Sequence, residues 1–275
     1  MVDASHEKLA GPLFGLMLLV MFVLPMWRVG YYDIGMFRDD VGVVFTYARN
    51  LIETGQIFYN EPADRLDGFT SMLDIIFALP LYVLAPESMF VWNYYLKALI
   101  TCLVPVATYF LFLRWGLEPY LAAFVAFALA SSDVLSAAFG MQLEGAFYGA
   151  LILVFFACLL NRDRMRASVL ILTGVLLCLT RPEAIALVAS ALGFAVILDA
   201  DSRRRKIALG AGSAILACMG AWYAWRIAYF GYWAPNTYYA KLSGSRMQEL
   251  ADGFNYVWYQ FSNRADVFLL SLIHI

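Results

Sequence analysis

Two adjacent carboxylates, Asp39 and Asp40, follow Arg38 at the head of the stretch FRDDVGVVFTYARNLIETGQIFYN (37–60). Paired carboxylates near a membrane suit a general base or a cation site. One of them can equally cap the free N–H groups of a helix start, but a cap needs one aspartate and here there are two. Other polar residues open to chemistry stand at the edges of apolar runs or within about two turns of them: Lys97, Asp133, Glu144, Arg181 with Glu183, Arg226, and the stretch APNTYYAK (234–241), which holds Asn236 and Lys241. Each has a plainer use. Lys97 can snorkel to an interface, Arg226 can anchor among the aromatics of WYAWRIAYF, Arg181 can pair locally with Glu183, and Asp133 and Glu144 can cap helices. His6 and His274 lie near the two ends, which leaves no histidine for a triad or a metal site. Cys102, Cys158, Cys178 and Cys218 fall inside apolar runs with no CxxC spacing and read as buried thiols.

The elements that must position these residues are set by an unusual composition. The 275 residues are 63% hydrophobic and 15% charged, with mean hydropathy +0.70, where a soluble domain has roughly half its residues apolar and a quarter charged. This is the composition of an all-α polytopic membrane protein. The net charge of −2 gives no basis for nucleic-acid binding. Apolar runs occupy 9–27, 71–86, 89–113, 120–138, 145–160, 168–180, 184–198 and 206–229. The first follows Lys8, and Pro25-Met26-Trp27 is a poor cleavage site, so it reads as a signal anchor. The run 267–275 is too short to span, so 242–275 reads as the start of a truncated C-terminal region.

Basic residues orient the spans, because Lys and Arg stay on the cytoplasmic side. Arg114, then Arg162, Arg164 and Arg166, then Arg203, Arg204, Arg205 and Lys206 all lie inside only if 71–86 does not cross. That run is short and contains Asp74 and Pro80, which suits an interfacial or re-entrant helix. About seven spans remain, and a long first extracytoplasmic loop (28–88) must carry structure of its own. Within that loop Val41, Val44, Phe45, Ala48, Leu51 and Ile52 fall at helical spacing and predict an amphipathic helix along the membrane surface. The stretch YNEPADRLDGFTS (59–71), rich in turn formers and acids, reads as a solvated loop. With this topology Asp39-Asp40, Gln142-Leu143-Glu144, Arg181-Pro182-Glu183 and 234–241 all fall outside. Trp222, Tyr223 and Trp225 read as interface aromatics.

These residues carry a family resemblance. The series DD, YARNL, a glycine, YN and DGFTS resembles the first outer loop of bacterial GT-C superfamily membrane glycosyltransferases, most closely the mycobacterial-type terminal arabinofuranosyltransferases. LTRPE (179–183) and AWYAWRIAYFGYWAPNTYYAK (221–241) are similar to that family's later motifs, and the likeness covers roughly 30–241. Two positions depart from it: Glu61-Pro62 stands where Gly-Glu is frequent, and Asp74 where a tryptophan is. The resemblance implies a GT-C transmembrane module over 1–241, in a bacterial inner membrane. It implies an inverting transfer of a sugar from a polyprenyl-phosphate donor to a hydroxyl of a glycan, lipid or protein acceptor, on the extracytoplasmic face. In that chemistry Asp39 is the base and Asp40 its partner. Lys97, Arg181 and Arg226 are the candidate phosphate contacts, with Glu144, Glu183, Asn236 and Lys241 in support. The outer carboxylates can hold Mg²⁺ or Mn²⁺ with several waters, though no ligand spacing compels a metal. Two other classes compete. A transporter or flippase of lipid-linked sugars predicts polar residues near the bilayer midplane and a repeated half, and the chain has no internal repeat. A non-catalytic membrane scaffold leaves the doubled aspartate and PNTYYAK unexplained.

Overall fold

The computed structural model describes residues 14–24, 27, 39–62, 65–132, 135, 144–161, 165–233, 235, 236, 239 and 246–263. Among them all regular structure is helical. In chain order the helices are α1 (Phe14–Leu24), α2 (Asp39–Thr54), α3 (Met72–Leu84), a 3-10 turn (Pro86–Ser88), α4 (Met89–Arg114), α5 (Pro119–Ala130), α6 (Gly145–Leu159), α7 (Ala167–Thr180), α8 (Ala184–Leu198), α9 (Ser202–Phe230) and α10 (Arg246–Asn263). The chain forms two compact units, Met1–Trp233 and Ala234–Ile275.

Most of the apolar runs became helices, because a backbone surrounded by apolar side chains must satisfy its own hydrogen bonds; the run 120–138 departs from this, its helix α5 closing at Ala130. Two segments, Pro86–Arg114 and α9, are long and apolar enough to cross a membrane. At 29 residues each they rise ~43 Å, against a hydrocarbon core of ~30 Å. α1, α3 and α5–α8 are apolar but shorter. The 13 residues of α3 reach only ~20 Å.

In the first unit α6–α9 share one core, in which Phe155, Leu170, Leu177, Val188, Ile215 and Met219 are buried. Gly174 of α7 is needed for this packing: a Cβ there would lie 2.5 Å from Ile215 Cδ1 and 3.2 Å from its Cγ1. The two ends of this bundle are tied differently. At one end Arg204 donates to the Leu159 and Asn161 carbonyls, 2.8 Å each, and pairs with Asp199. At the other end Arg181 bridges to Glu144 at 3.0 Å. Arg166, Arg203, Arg204 and Arg205 thus lie at one end of α6–α9, and Glu144, Arg181 and Glu183 at the other. α9 terminates on Gly231 in the left-handed conformation (φ 82°), where a side chain would be strained.

α2, α3 and the segment between them pack as a second core. α2 lies on α3 and buries Val41, Phe45, Tyr47 and Ala48 against Ile75, Ala78 and Phe230. Ile52, expected on the inner face, is exposed, because the buried face turns through Tyr47 and Asn50 instead. The larger correction concerns 59–71. Although rich in acids and turn formers, it is not solvated throughout: Asp67, Phe69 and Ser71 are buried. Tyr47 explains part of this. Its hydroxyl donates to the Leu66 carbonyl at 2.6 Å and accepts from the Gly68 amide at 2.9 Å. Asn50 Nδ2 likewise donates to the carbonyls of Phe58 and Tyr59, at 2.8 and 3.0 Å. Of the four thiols, Cys102 and Cys178 are buried, Cys158 is half-buried, and Cys218 is exposed because it lies on a face of α9 that turns away from the core.

Candidate functional site

Of the polar residues expected to act together, Lys97, Glu144, Arg181 and Glu183 meet at one end of the bundle. α4 supplies Lys97, whose Nζ forms an ion pair with Asp74 Oδ1 at 2.7 Å and lies 5.2 Å from the centre of the Phe147 ring. That ring packs on Phe77 of α3, 4.6 Å between centroids. Glu144 immediately precedes α6, one turn before Phe147, and lies within electrostatic reach of Lys97, Asp74 and Arg181. Arg181 follows α7. Its Nη1 donates to Glu144 Oε1 at 3.0 Å and its Nε to Glu183 Oε1 at 2.6 Å. The local sequence makes this possible: Pro182 disfavours helix at Arg181, which is extended (φ −143°, ψ 126°), and α8 restarts at Ala184.

Asp74 is the member of this group that the sequence did not single out as functional. It is 1% exposed, as is fitting for a residue facing Lys97 at 2%. Ser71 caps α3 by accepting from the Asp74 amide at 3.2 Å, and so sets where the helix begins. Asp74 Oδ2 is buried with no hydrogen-bond partner among the described residues. The available signal was its type: an aspartate three residues after a serine cap, within an otherwise apolar run, needs a buried cation.

The electrostatics distinguish the carboxylates. Burial pushes the Glu144 carboxyl above its ordinary range, while the Arg181 and Lys97 charges pull it down. Partial burial acts on Glu183 in the same sense, but hydrogen bonds from its own backbone and from Arg181 hold it below the usual value. Three carboxylates surround two cations here, yet Arg181 retains capacity. Its side chain is 44% exposed, and its Nη2 is not engaged by any described residue.

Arg226, expected beside these cations as a phosphate contact, is differently occupied. Its Nε and Nη2 donate to Asp67 Oδ2 and Oδ1, both at 2.7 Å, and Nη2 also reaches the Phe69 carbonyl at 2.9 Å. Asp67 was missed because in sequence it is one acid among several in a turn-rich stretch.

Both aspartates of the opening motif fall in the first turn of α2, which begins at Asp39. Asp40 is therefore a first-turn residue favoured by the helix dipole rather than the cap itself. It is exposed, and no described residue bonds its side chain. The side chain of Asp39 lies outside the described residues, as do Asp133, Gln142, Leu143 and Lys241. Asn236 belongs to the second unit. Among the described residues no group of three or more His, Cys, Asp or Glu side chains is gathered closely enough to hold a metal ion.

Compared with known proteins, the chain matches no family model, no curated protein and no solved structure. Function must therefore be argued from this cluster and from the motifs themselves.

Proposed function

We propose that this chain is the membrane module of an inverting glycosyltransferase of the GT-C type. It would work at the extracytoplasmic face of a bacterial inner membrane and move a sugar from a polyprenyl-phosphate donor to an acceptor hydroxyl, in cell-envelope glycan synthesis. The observation that carries this reading is the meeting of Lys97, Glu144, Arg181 and Glu183, drawn from separate elements, at the bundle end opposite the Arg204 contacts. A transporter's polar groups are expected nearer the bilayer midplane.

In the reaction the acceptor oxygen attacks the anomeric carbon, the carbon–oxygen bond to phosphate breaks, and polyprenyl phosphate departs with the electron pair. The hydroxyl proton passes to a carboxylate, which the motif assigns to Asp39 with Asp40 as partner. Charge grows on the leaving phosphate and must meet fixed cations. Arg181 suits this best, because it is exposed and has an unengaged guanidinium nitrogen. Lys97, held by Asp74, contributes its charge from behind. An apolar hollow of about 430 Å³ between α8 and α9, lined by residues including Ile185, Val188, Leu192, Gly212 and Leu216, is of a kind that takes a lipid tail, and Ile185 stands two residues from Glu183.

The test is transfer from a panel of polyprenyl-phosphate sugars, with products identified by mass spectrometry. Asn keeps the size of Asp and a hydrogen-bonding oxygen, so Asp39→Asn should insert and bind donor normally. It should lose at least about a hundredfold in transfer rate, since base catalysis contributes ~10²–10⁴. Near-normal transfer by that variant would reject Asp39 as base and direct attention to Asp40 or Glu144.

A further inference from the structure

The first outer loop is fastened to the last turns of α9 by four separate contacts. The Ile57 amide donates to the Tyr229 hydroxyl at 3.0 Å. The Arg65 guanidinium lies 4.5 Å from the centre of the Tyr229 ring. Phe69 packs edge-on to Phe230, with 5.9 Å between centroids. The strongest is the two-pronged Arg226–Asp67 pair, 3% and 0% exposed, extended to the Phe69 carbonyl. Four residues beyond Asp67 comes Ser71, the cap that starts α3, and three beyond that comes Asp74, the partner of Lys97.

We propose that Arg226 and Asp67 form a positioning latch, which seats segment 65–71 on α9 and thereby sets the register of α3 and the meeting of Asp74 with Lys97. A phosphate at Arg226 would have to displace a carboxylate that has no access to water, stranding a buried charge. Arginine suits such a latch, because its planar fork grips both carboxylate oxygens in parallel bonds and still reaches a carbonyl. Lysine would keep the charge and lose the geometry. As a statement about the transferase the inference rests on the preceding reading; as a statement about Lys97 it does not, and the experiment uses that difference.

The full-length protein in lipid nanodiscs is treated with a water-soluble amine-reactive ester. Labelling of Lys97 is followed by peptide mass spectrometry, with exposed Lys206 as internal reference. Asp67→Asn and Arg226→Lys should each raise the Lys97 rate, relative to Lys206, by roughly tenfold or more, the fold-change that a lost charge-assisted hydrogen bond gives. A phosphate ligand at 226 behaves otherwise: Arg226→Lys would keep much of the donor affinity and leave Lys97 protected. Tyr47→Phe removes one oxygen from the second tether of the same segment and should raise the Lys97 rate in the same direction. It decides the matter if the buried-pair variants fail to accumulate. Wild-type Lys97 labelling in variants that retain native helicity and thermal unfolding would overturn the latch. A wild-type protein that transfers no sugar from any donor would instead overturn the glycosyltransferase reading, with the labelling result unaffected.

Discussion

Single residues in this protein work through what surrounds them, and Tyr47 shows it most simply. Its ring is buried in the α2–α3 core and its hydroxyl holds two backbone groups of the 66–68 segment. Burial is the main cause that pushes its phenol up to about 12. The unfolded chain ionises near 10, so between about pH 10 and 12 the unfolded state binds fewer protons than the folded one, and stability must fall as pH rises. Tyr47 is thus fully stabilising below pH 10, and the loss should amount to roughly 2–3 kcal/mol by pH 12. Tyr47→Phe should be less stable at pH 8 yet lose less further stability between pH 10 and 12. Chemical denaturation in detergent at both pH values measures this, and equal alkaline losses in the two proteins would refute it.

Elements meet where side chains allow it. α7 approaches α9 through Gly174, against which Ile215 packs, and a substituted Cβ would meet Ile215 and Val188 together. Gly174→Leu should force the helices apart and cost ~1–3 kcal/mol, the range for an overpacked core. The site end depends on the same helices, because Arg181 follows α7 and must reach Glu144 beside α6. The variant should therefore unfold at lower temperature, and cross-linking between cysteines placed at 144 and 181 should fall with it. Unchanged thermal unfolding would mean that this glycine sets no spacing.

For the whole molecule, the bilayer reading makes a directional statement. Arg204 with Asn161 and Arg181 with Glu144 mark opposite ends of one bundle, and the positive-inside rule places the first end in the cytoplasm. In a cysteine-free background, Glu61→Cys should react with a membrane-impermeant thiol reagent in intact cells, whereas Ser202→Cys should react only after lysis. Both positions are exposed; Ser71, later in the same segment as Glu61, is buried and would give a misleading silence. Reaction of Ser202→Cys in intact cells would invert the proposed topology.

The sequence by itself determined where most helices of the first unit lie and which connections carry charge, but not α10 (Arg246–Asn263), which has no long apolar run. Long apolar runs leave the backbone no alternative to helix, and Lys and Arg mark the connections between runs whatever their packing. The runs 89–113, 145–160, 168–180 and 184–198 match α4, α6, α7 and α8 to within a residue or two; the candidates Glu144, Arg181 and Glu183 were legible as charges at run edges, and Lys97 as a charge about two turns into its run. Only the tertiary structure decided the partners. Asp67 is 159 residues from Arg226 and Asp74 is 23 from Lys97, and no periodicity reports contacts at such separations. A buried carboxylate looks like any loop acid until the cation that balances it is in place. That difference divides Arg226, tied to its own chain, from Arg181, whose guanidinium still faces outward.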